Sequence, residues 1–547
     1  MVRAVAYGLL IGLASATVTS CKSTNAGSGS LAASEELGAA ADTLDESLGS
    51  PVLRGSNPGS GIVDVTLEVK EVTWDVGGHK LAALTYNGVV PGPTIVANVG
   101  DELVLTVKNS SPLETILHPH GFILPHKEDG TALSQDPIKP GQSHTHRFKL
   151  LHPGTYWYHS HSHHDAAKQI GRGLYAAIIV RDKKDPQMTE KVIVISNVKV
   201  DREKGVVRPP NPLNLAETQD YLINGKLSRS TTIRPGESQR LRVVNATVEH
   251  VVHLRLSNGR SFTQIATDGG LTDKPYEMKE IFLDAAERAD IVVTAPADAA
   301  EPFELIAERI PIVPNVPAGN SKNDPLAMLW SRIKQSYNPP YAQSLLKFAI
   351  EGAPAQPVAL PETLAETPVP TREFIMAQSP AVREFTVGFS PALAPGGLAM
   401  LFPLNTPIED YADPQNGTYP STPRPVEKLG TWVIHRWKNN SPSRHPIHVH
   451  GFRFVVLTRN GVEDPIKGWK DTADLPAYGD LEYAIELKGY PGEWLYHCHF
   501  EGHMEMGFMG SMTVIDPANP DVVPGREARN VDSSHAKHRD IKKKPGG

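Results

Sequence analysis

Cysteine is nearly absent: the 547 residues hold two, Cys21 and Cys498. That excludes a disulfide-stapled scaffold, which needs many cysteines at close spacing. The two lie far apart in sequence, and each has a better use than a mutual bridge. Basic clusters are missing as well. The net charge is -7, and apart from Lys542 to Lys544 the Lys and Arg residues do not gather. No nucleic-acid partner is expected. Aromatic residues are modest at 7%, while Gly (45) and Pro (47) are plentiful. This composition suits many short strands joined by turns better than long helices. An apolar fraction of 40% is enough to build cores, and the length predicts two to four domains. What the chain has in excess is histidine: 22 residues, many in dense clusters.

No long apolar run suggests a membrane span. Ala4 to Val18 is apolar but too short. With Arg3 before it and Val18-Thr19-Ser20-Cys21 after it, the segment reads as a signal peptide over 1–21 whose end resembles a bacterial lipobox. That resemblance implies lipidation of Cys21, the alternative being an ordinary secretory signal cleaved elsewhere. Either reading predicts an exported protein of the periplasm or cell envelope. With Lys22 after the lipidated residue, an outer-membrane lipoprotein is expected in a Gram-negative host. Residues 22–61, rich in Ser, Ala, Gly and acids, read as a flexible tether.

From Ile62 onward, stretches such as VDVTLEVKEVTW (63 to 74) and DELVLTVKN (101 to 109) alternate apolar and polar residues, as strands with one buried face do. Turn signals such as Asn87-Gly88 and Pro140-Gly141 separate them. The pattern divides into units at 62–185, 186–352 and 353–517, followed by a polar tail at 518–547. The middle unit has no histidine cluster, and it holds a possible short helix over 326–337. A Pro-rich linker at 352–371 leads into the third unit. Three β-rich units suggest repeated sandwich domains.

Four His-x-His pairs stand out: His118-Pro119-His120, His159-Ser160-His161, His448-Val449-His450 and His497-Cys498-His499. On a strand, residues i and i+2 share a face about 7 Å apart. That spacing suits two imidazoles gripping different ions of one compact cluster. One such pair means little, but four, two near each end of the chain, point to metal. Neutral imidazole suits Cu, Zn, Fe and Ni. The fourth pair encloses the remaining thiol. If His497 and His499 face the cluster, Cys498 faces away, toward a separate ion. His503 and His445 lie nearby, and one thiolate with two imidazoles is the trigonal set of an electron-transfer copper. Zinc is the chemical alternative, but it has no redox role, and eleven converging ligands exceed what a structural zinc needs. Core histidines are the reading for His79, His250, His253 and His435. His152, His163 and His164 stay ambiguous, and His535 and His538 fall in the tail.

HPHG (118 to 121), GTYWYHSH (154 to 161), HPIHVHG (445 to 451) and HCHFEGH (497 to 503) resemble the four copper signatures of the multicopper oxidases, a family that includes laccases, ascorbate oxidase and ferroxidases. The similarity runs from about residue 62 to 516 and includes the ligand-free phrases NGKL, RPGESQRLRVVNA, ATDGG and AERADIVV. It implies an all-β fold of three consecutive cupredoxin-like Greek-key sandwich or barrel domains and four copper ions. The type 1 copper would take His445, Cys498 and His503, and the type 2 copper His118 and His448. The paired type 3 coppers would take His120, His159, His161, His450, His497 and His499. The type 1 axial position falls on Phe508, where many bacterial members have Met. A non-coordinating side chain there predicts a raised reduction potential. Met506 and Met509 flank it, so a one-residue shift would restore a thioether.

The resemblance also implies the reaction. A reducing substrate gives electrons one at a time through the edge of His503. They cross Cys498 to His497 or His499, and O₂ is reduced to water. Glu501 and Asp129 match acids that relay protons in some members, against the plainer reading of loop acids. In many bacterial members the relay acid instead follows the fourth-motif histidine, where this chain has Met504. The donor is either a phenol or aromatic amine, as in laccases, or Cu(I), Fe(II) or Mn(II) in a metallo-oxidase. Met504, Met506, Met509 and Met512 would feed Cu(I) in the second case, or simply pack a core. A non-enzymatic scaffold is disfavoured by the complete ligand set, and a copper nitrite reductase by His-x-His pairs at both ends. Because three domains complete the site within one chain, a monomer is expected, touching the membrane only through Cys21.

Overall fold

In the strand Ile62–Val76, Val63, Val65, Leu67 and Val69 point into a core while Asp64 and Thr66 stay in solvent. The period-2 pattern read from the sequence is thus the face pattern of a half-buried strand. The computed structural model describes residues 43–55, 59–162, 165–201, 206–208, 220–298, 301–310, 342–365, 368–387, 390–394, 397–401, 425–441, 443–505, 508–520 and 522–523. All of them belong to the unit Ala39–Gly547. Residues 1–42, the expected helix at 326–337, Met506 and most of the polar tail lie outside the described residues.

Three β-sandwiches follow one another. In the first, Ile62–Val76 lies between His79–Tyr86 and Glu102–Asn109, with Ser143–Lys149 at the edge. The facing sheet orders Val52–Leu53, Thr94–Asn98, Tyr175–Arg181, Gly154–Ser160 and Leu117–His120. The second sandwich is built on Thr189–Asp201, Ser238–Asn245 and Arg288–Thr294, and the third on Trp432–Asn439, His445–Val449 and Gly492–Cys498. Parallel pairings recur among antiparallel ones in all three sandwiches: Val63 opposite Leu103 and Ile95 opposite Ile178 in the first, Ile193 opposite Val243 and Thr231 opposite Phe348 in the second, Phe385 opposite Trp437 and Glu427 opposite Val514 in the third. A parallel pair cannot be closed by a hairpin, so the chain must cross between sheets. The same crossing recurs at matching places in all three sandwiches.

The cores explain where the site sits. One continuous cluster joins the first and third sandwiches through residues such as Phe122, Tyr158, Phe452 and Trp494, while the second keeps its own core around Ile193, Leu241, Phe303 and Phe348. Between the first and second sandwiches lies a buried ionic network. Arg242 donates to Glu190 at 2.8 Å, Arg240 to Asp290 at 2.6 Å, and Thr155 Oγ1 to Asp290 at 2.7 Å.

Two expectations need correcting. Residues 43–55, read as part of a flexible tether, belong to the fold. Leu48 is buried, Lys191 pairs with Asp45, and Val52 lies opposite Thr94 in the first sandwich. A few apolar residues that complete a sheet edge outweigh the disorder-prone composition around them. The linker read into the third unit is tied to the second, with Ala355 N–H donating to Pro235 O at 2.8 Å and Leu364 N–H to Asp273 O at 2.9 Å. Among the described residues no helix is long and apolar enough to cross a membrane.

Candidate metal centre

Strand register makes the first convergence. Leu117–His120 pairs antiparallel with Gly154–Ser160 so that His118 lies opposite His159, and His445–Val449 pairs with Gly492–Cys498 so that His448 lies opposite His497. Side chains directly opposite in an antiparallel pair share a face and nearly touch. Each sandwich therefore offers four imidazoles from one surface, and the two surfaces meet. The His120 ring stacks on His448 at 3.8 Å between centroids, and His118 faces His450 at 4.3 Å. All eight rings are buried.

Their ring nitrogens form three groups, the first and third sharing His450: His118, His448 and His450; His120, His159 and His499; His161, His450 and His497. Within each group the ligand atoms lie within 4.8 Å of one another. The Nε2 atoms of His118, His120, His159, His161, His448 and His499 are buried without a protein hydrogen-bond partner, and those of His450 and His497 face each other at 3.0 Å. Buried polar atoms are almost always satisfied. Burial holds these imidazoles neutral, with His161 and His497 lowered to about 4. Bare lone pairs converging on shared space fit metal cations.

The far side of five of these rings is fixed. The Nδ1 atoms of His118, His448, His159 and His497 face the backbone carbonyls of Asp129 (2.5 Å), Asp471 (2.8 Å), Ser160 (2.9 Å) and Cys498 (3.0 Å). A carbonyl only accepts, so Nδ1 carries the proton and Nε2 the lone pair. Asp129 also reaches His450 Nδ1 with its carboxylate at 3.1 Å. The turn that brings it there requires Gly130 at φ +68°, because a Cβ would sit 1.9 Å from Leu117 O. Asp471 is gripped by Arg288 through both oxygens, at 2.7 and 2.5 Å, and Arg288 Nε donates to Thr155 O at 3.0 Å. One guanidinium from the second sandwich therefore braces the first and third beside the cluster. A Cβ on Gly121 would strike this pair, 2.5 Å from Asp471 Oδ2 and 2.6 Å from Arg288 Nη2.

The second convergence is on the opposite face of Gly492–Cys498. Cys498 Sγ lies 3.6 Å from His445 Nδ1 and 3.6 Å from His503 Nδ1, and the two nitrogens are 3.1 Å apart. Bonds of about 2.0–2.3 Å at tetrahedral to trigonal angles put ligand atoms about 3.3–3.8 Å apart, close to these separations. Ser441 Oγ holds His445 Nε2 at 2.9 Å. Burial pushes the Cys498 thiol up and lowers His503 to about 3. A thiolate in this position needs a compensating cation. The Phe508 ring lies against His445 at 4.8 Å, whereas Met509 turns into a separate cluster with Leu133, Leu495 and Met504. Of Phe508 and Met509, it is therefore the phenyl ring that packs against His445.

Glu501 opens the short helix Glu501–Glu505, and its Oε1 lies 3.3 Å from His499 Nδ1. Both acids singled out in the sequence thus reach the outer nitrogen of a clustered ring, not the space that the Nε2 atoms enclose. Burial pushes both carboxyls up. His253 is held by Glu280 (2.9 Å) and Glu308 (3.2 Å), and His435 by Tyr483 (3.2 Å), outside either metal group. Asp471, Arg288 and Ser441 were not legible, because single acids, arginines and serines carry no spacing pattern. A further pair, His144-Thr145-His146, did have the spacing and was passed over among the denser clusters.

Three family profiles, each described as multicopper oxidase, match residues 68–185, 200–319 and 399–518. The chain is 28% identical over 490 residues to a multicopper oxidase of Mycobacterium tuberculosis, covering 83% of this chain and 87% of that one. It is 25% identical to Laccase-24 of Oryza sativa, covering 80% and 91%. The solved structure of a multicopper oxidase from Campylobacter jejuni, described as a metallo-oxidase, superposes with a TM-score of 0.67 at 25% identity, covering 88% and 96%.

Proposed function

The chain belongs to the multicopper oxidase family, copper-dependent oxidoreductases that use O₂ and a reducing substrate, and from that premise we propose how its residues divide the work. His445, Cys498 and His503 hold the type 1 copper. His118 and His448 hold the type 2 copper, and His120, His159, His161, His450, His497 and His499 the type 3 pair. When bound, copper supplies one-electron transfer at the first site and reduction of O₂ to water at the cluster. The observation that carries this reading is the position of Cys498. Its thiol serves one metal group, while its immediate neighbours His497 and His499 serve the other. The chain itself is then the covalent path between substrate oxidation and O₂ reduction.

The protein's remaining tasks follow from its side chains. Backbone carbonyls and Asp129 hold His118, His159, His448, His497 and His450 in the tautomer that presents Nε2. Asp129 and Glu501, with carboxyls that burial keeps protonated more readily, store protons beside the cluster for the reduction of O₂.

The donor is a phenol or aromatic amine. Phe508 supports this, since copper held beside a phenyl ring in place of a thioether would have a higher potential and would take electrons from poorer reductants. Likeness to a laccase supports it too. The second reading, an envelope metallo-oxidase acting on Cu(I), Fe(II) or Mn(II), draws support from the likeness to the Campylobacter jejuni protein. Met504, Met509 and Met512 are buried, which argues against a thioether relay for Cu(I) through them. O₂ uptake by the copper-loaded protein separates the two. Fast uptake with a phenol establishes the first reading, and uptake with a metal ion alone establishes the second. The protein is exported and tethered by a lipid at Cys21, outer-membrane in a Gram-negative host, and acts as a monomer. Palmitate labelling that persists in Cys21→Ala would exclude that anchor.

A further inference from the structure

The edge strand Ser143–Lys149 carries two histidines that neither metal group uses. Among the described residues it pairs only with Glu102–Asn109. His146 and Phe148 are buried and Thr145 and Arg147 exposed, with His144 half-buried on the inner face. Two imidazoles thus stand where the pattern calls for apolar side chains. Their rings meet edge to face at 4.6 Å between centroids. His445 and His503, which share one ion in the assignment above, lie at a similar 4.9 Å, whereas His118 and His120, assigned to different ions, lie 5.4 Å apart.

The Nε2 atoms of both His144 and His146 are buried and have no hydrogen-bond partner. His146 Nδ1 lies 3.1 Å from Glu128 O, so it donates there and leaves Nε2 as the bare acceptor. This is the arrangement of His118, whose Nδ1 faces the next carbonyl along, Asp129 O. Two successive carbonyls of one turn therefore orient a ring in each place. The buried Glu128 carboxylate lies 3.7 Å from His146 Nδ1 and supplies negative charge beside the pair. Metal-binding histidines are held through their outer nitrogen in this way. His435 shows the contrast. Its Nε2 is also unpartnered, but its ring packs on Phe385 at 4.9 Å and on Tyr483, with no second imidazole.

We propose that His144 and His146 bind a fifth metal ion through their Nε2 atoms, with solvent completing the coordination past the half-buried His144. Two imidazoles select a first-row transition ion, and Cu(II) binds most tightly in that series. The site is separate from the four coppers of the oxidase reaction.

The test titrates Cu(II) into holoenzyme that already carries four coppers, by calorimetry, with metal counted per chain after gel filtration. One further equivalent is expected in the wild type. His144→Gln, at the half-buried position, should weaken that equivalent at least 100-fold while leaving the visible spectrum and O₂ uptake unchanged. His146→Gln should do the same, and the His144 variant keeps the test valid if His146→Gln does not fold. A wild type that takes no fifth equivalent would overturn the proposal, as would a fifth equivalent that survives His144→Gln at the same affinity. A site that takes Zn(II) but not Cu(II) would overturn the choice of copper. Because spectrum and uptake are read on the same sample, failure of the fifth site is distinguishable from failure of the oxidase assignment.

Discussion

Cys498 has no exposed surface, and burial pushes its thiol up, so it would ionise there only beside a bound cation. Cys498→Ser is expected to abolish the visible charge-transfer absorption and the oxidase activity together, with copper content falling by one per chain. A strong visible band in that variant would contradict the type 1 assignment. Phe508→Met tests the axial position. It should lower the type 1 reduction potential by more than about 59 mV, a tenfold shift in a one-electron equilibrium, measured by redox titration. An unchanged potential would mean that residue 508 does not face the copper. At this scale the sequence was most legible where spacing repeats. His-x-His pairs and HCHFEGH announce themselves, whereas Asp471 and Arg288, which brace His448 and His120, are single residues with no spacing pattern around them.

Element by element, alternation identified strands with one wet face, such as Ile62–Val76, and said less about Ser238–Asn245, which is buried along its whole length with two arginines inside. Those arginines are tolerated because the neighbouring strands bring Glu190 and Asp290 against them. A sequence cannot show that pairing without the register. Burial would push the Glu190 carboxyl up, but Arg242 and Arg240 outweigh it and hold the group down to about 2. A depressed carboxyl contributes stability that is fully present above its ordinary value of 4.5 and is lost as pH falls toward 2. The melting temperature is therefore expected to fall through that window. Arg242→Met should cost roughly 3–5 kcal/mol at neutral pH, because it leaves buried acids unpaired, and should flatten the acid dependence. Calorimetric melting from pH 7 down to pH 2 checks both. An unaltered acid dependence in the variant would remove the network from the account.

For the whole molecule, the order of three sandwiches was readable from turn spacing and repeated phrases. Their ends were not. Residues 43–55 read as tether because composition dominates a short segment, yet Val52 and Leu48 are drawn in by the sheet edge and core they complete. The cluster lies where the first and third sandwiches meet, so its ions cross-link distant parts of the chain. Ions that bind only the folded state stabilise it by mass action. Chelated protein is expected to melt at a lower temperature than the copper-loaded form, in scanning calorimetry on matched samples. Equal melting temperatures would mean that the ions do not bridge the sandwiches.

Two metal groups joined through Cys498 would work as one oxidase. The most direct measurement is the stoichiometry of turnover: moles of one-electron donor oxidised per mole of O₂ consumed, with hydrogen peroxide assayed in the same vessel. Four donors per O₂ with no peroxide is the result this structure predicts. Two donors per O₂, with peroxide accumulating, would contradict it, because a cluster assembled from the eight paired histidines would not then be completing the reduction to water.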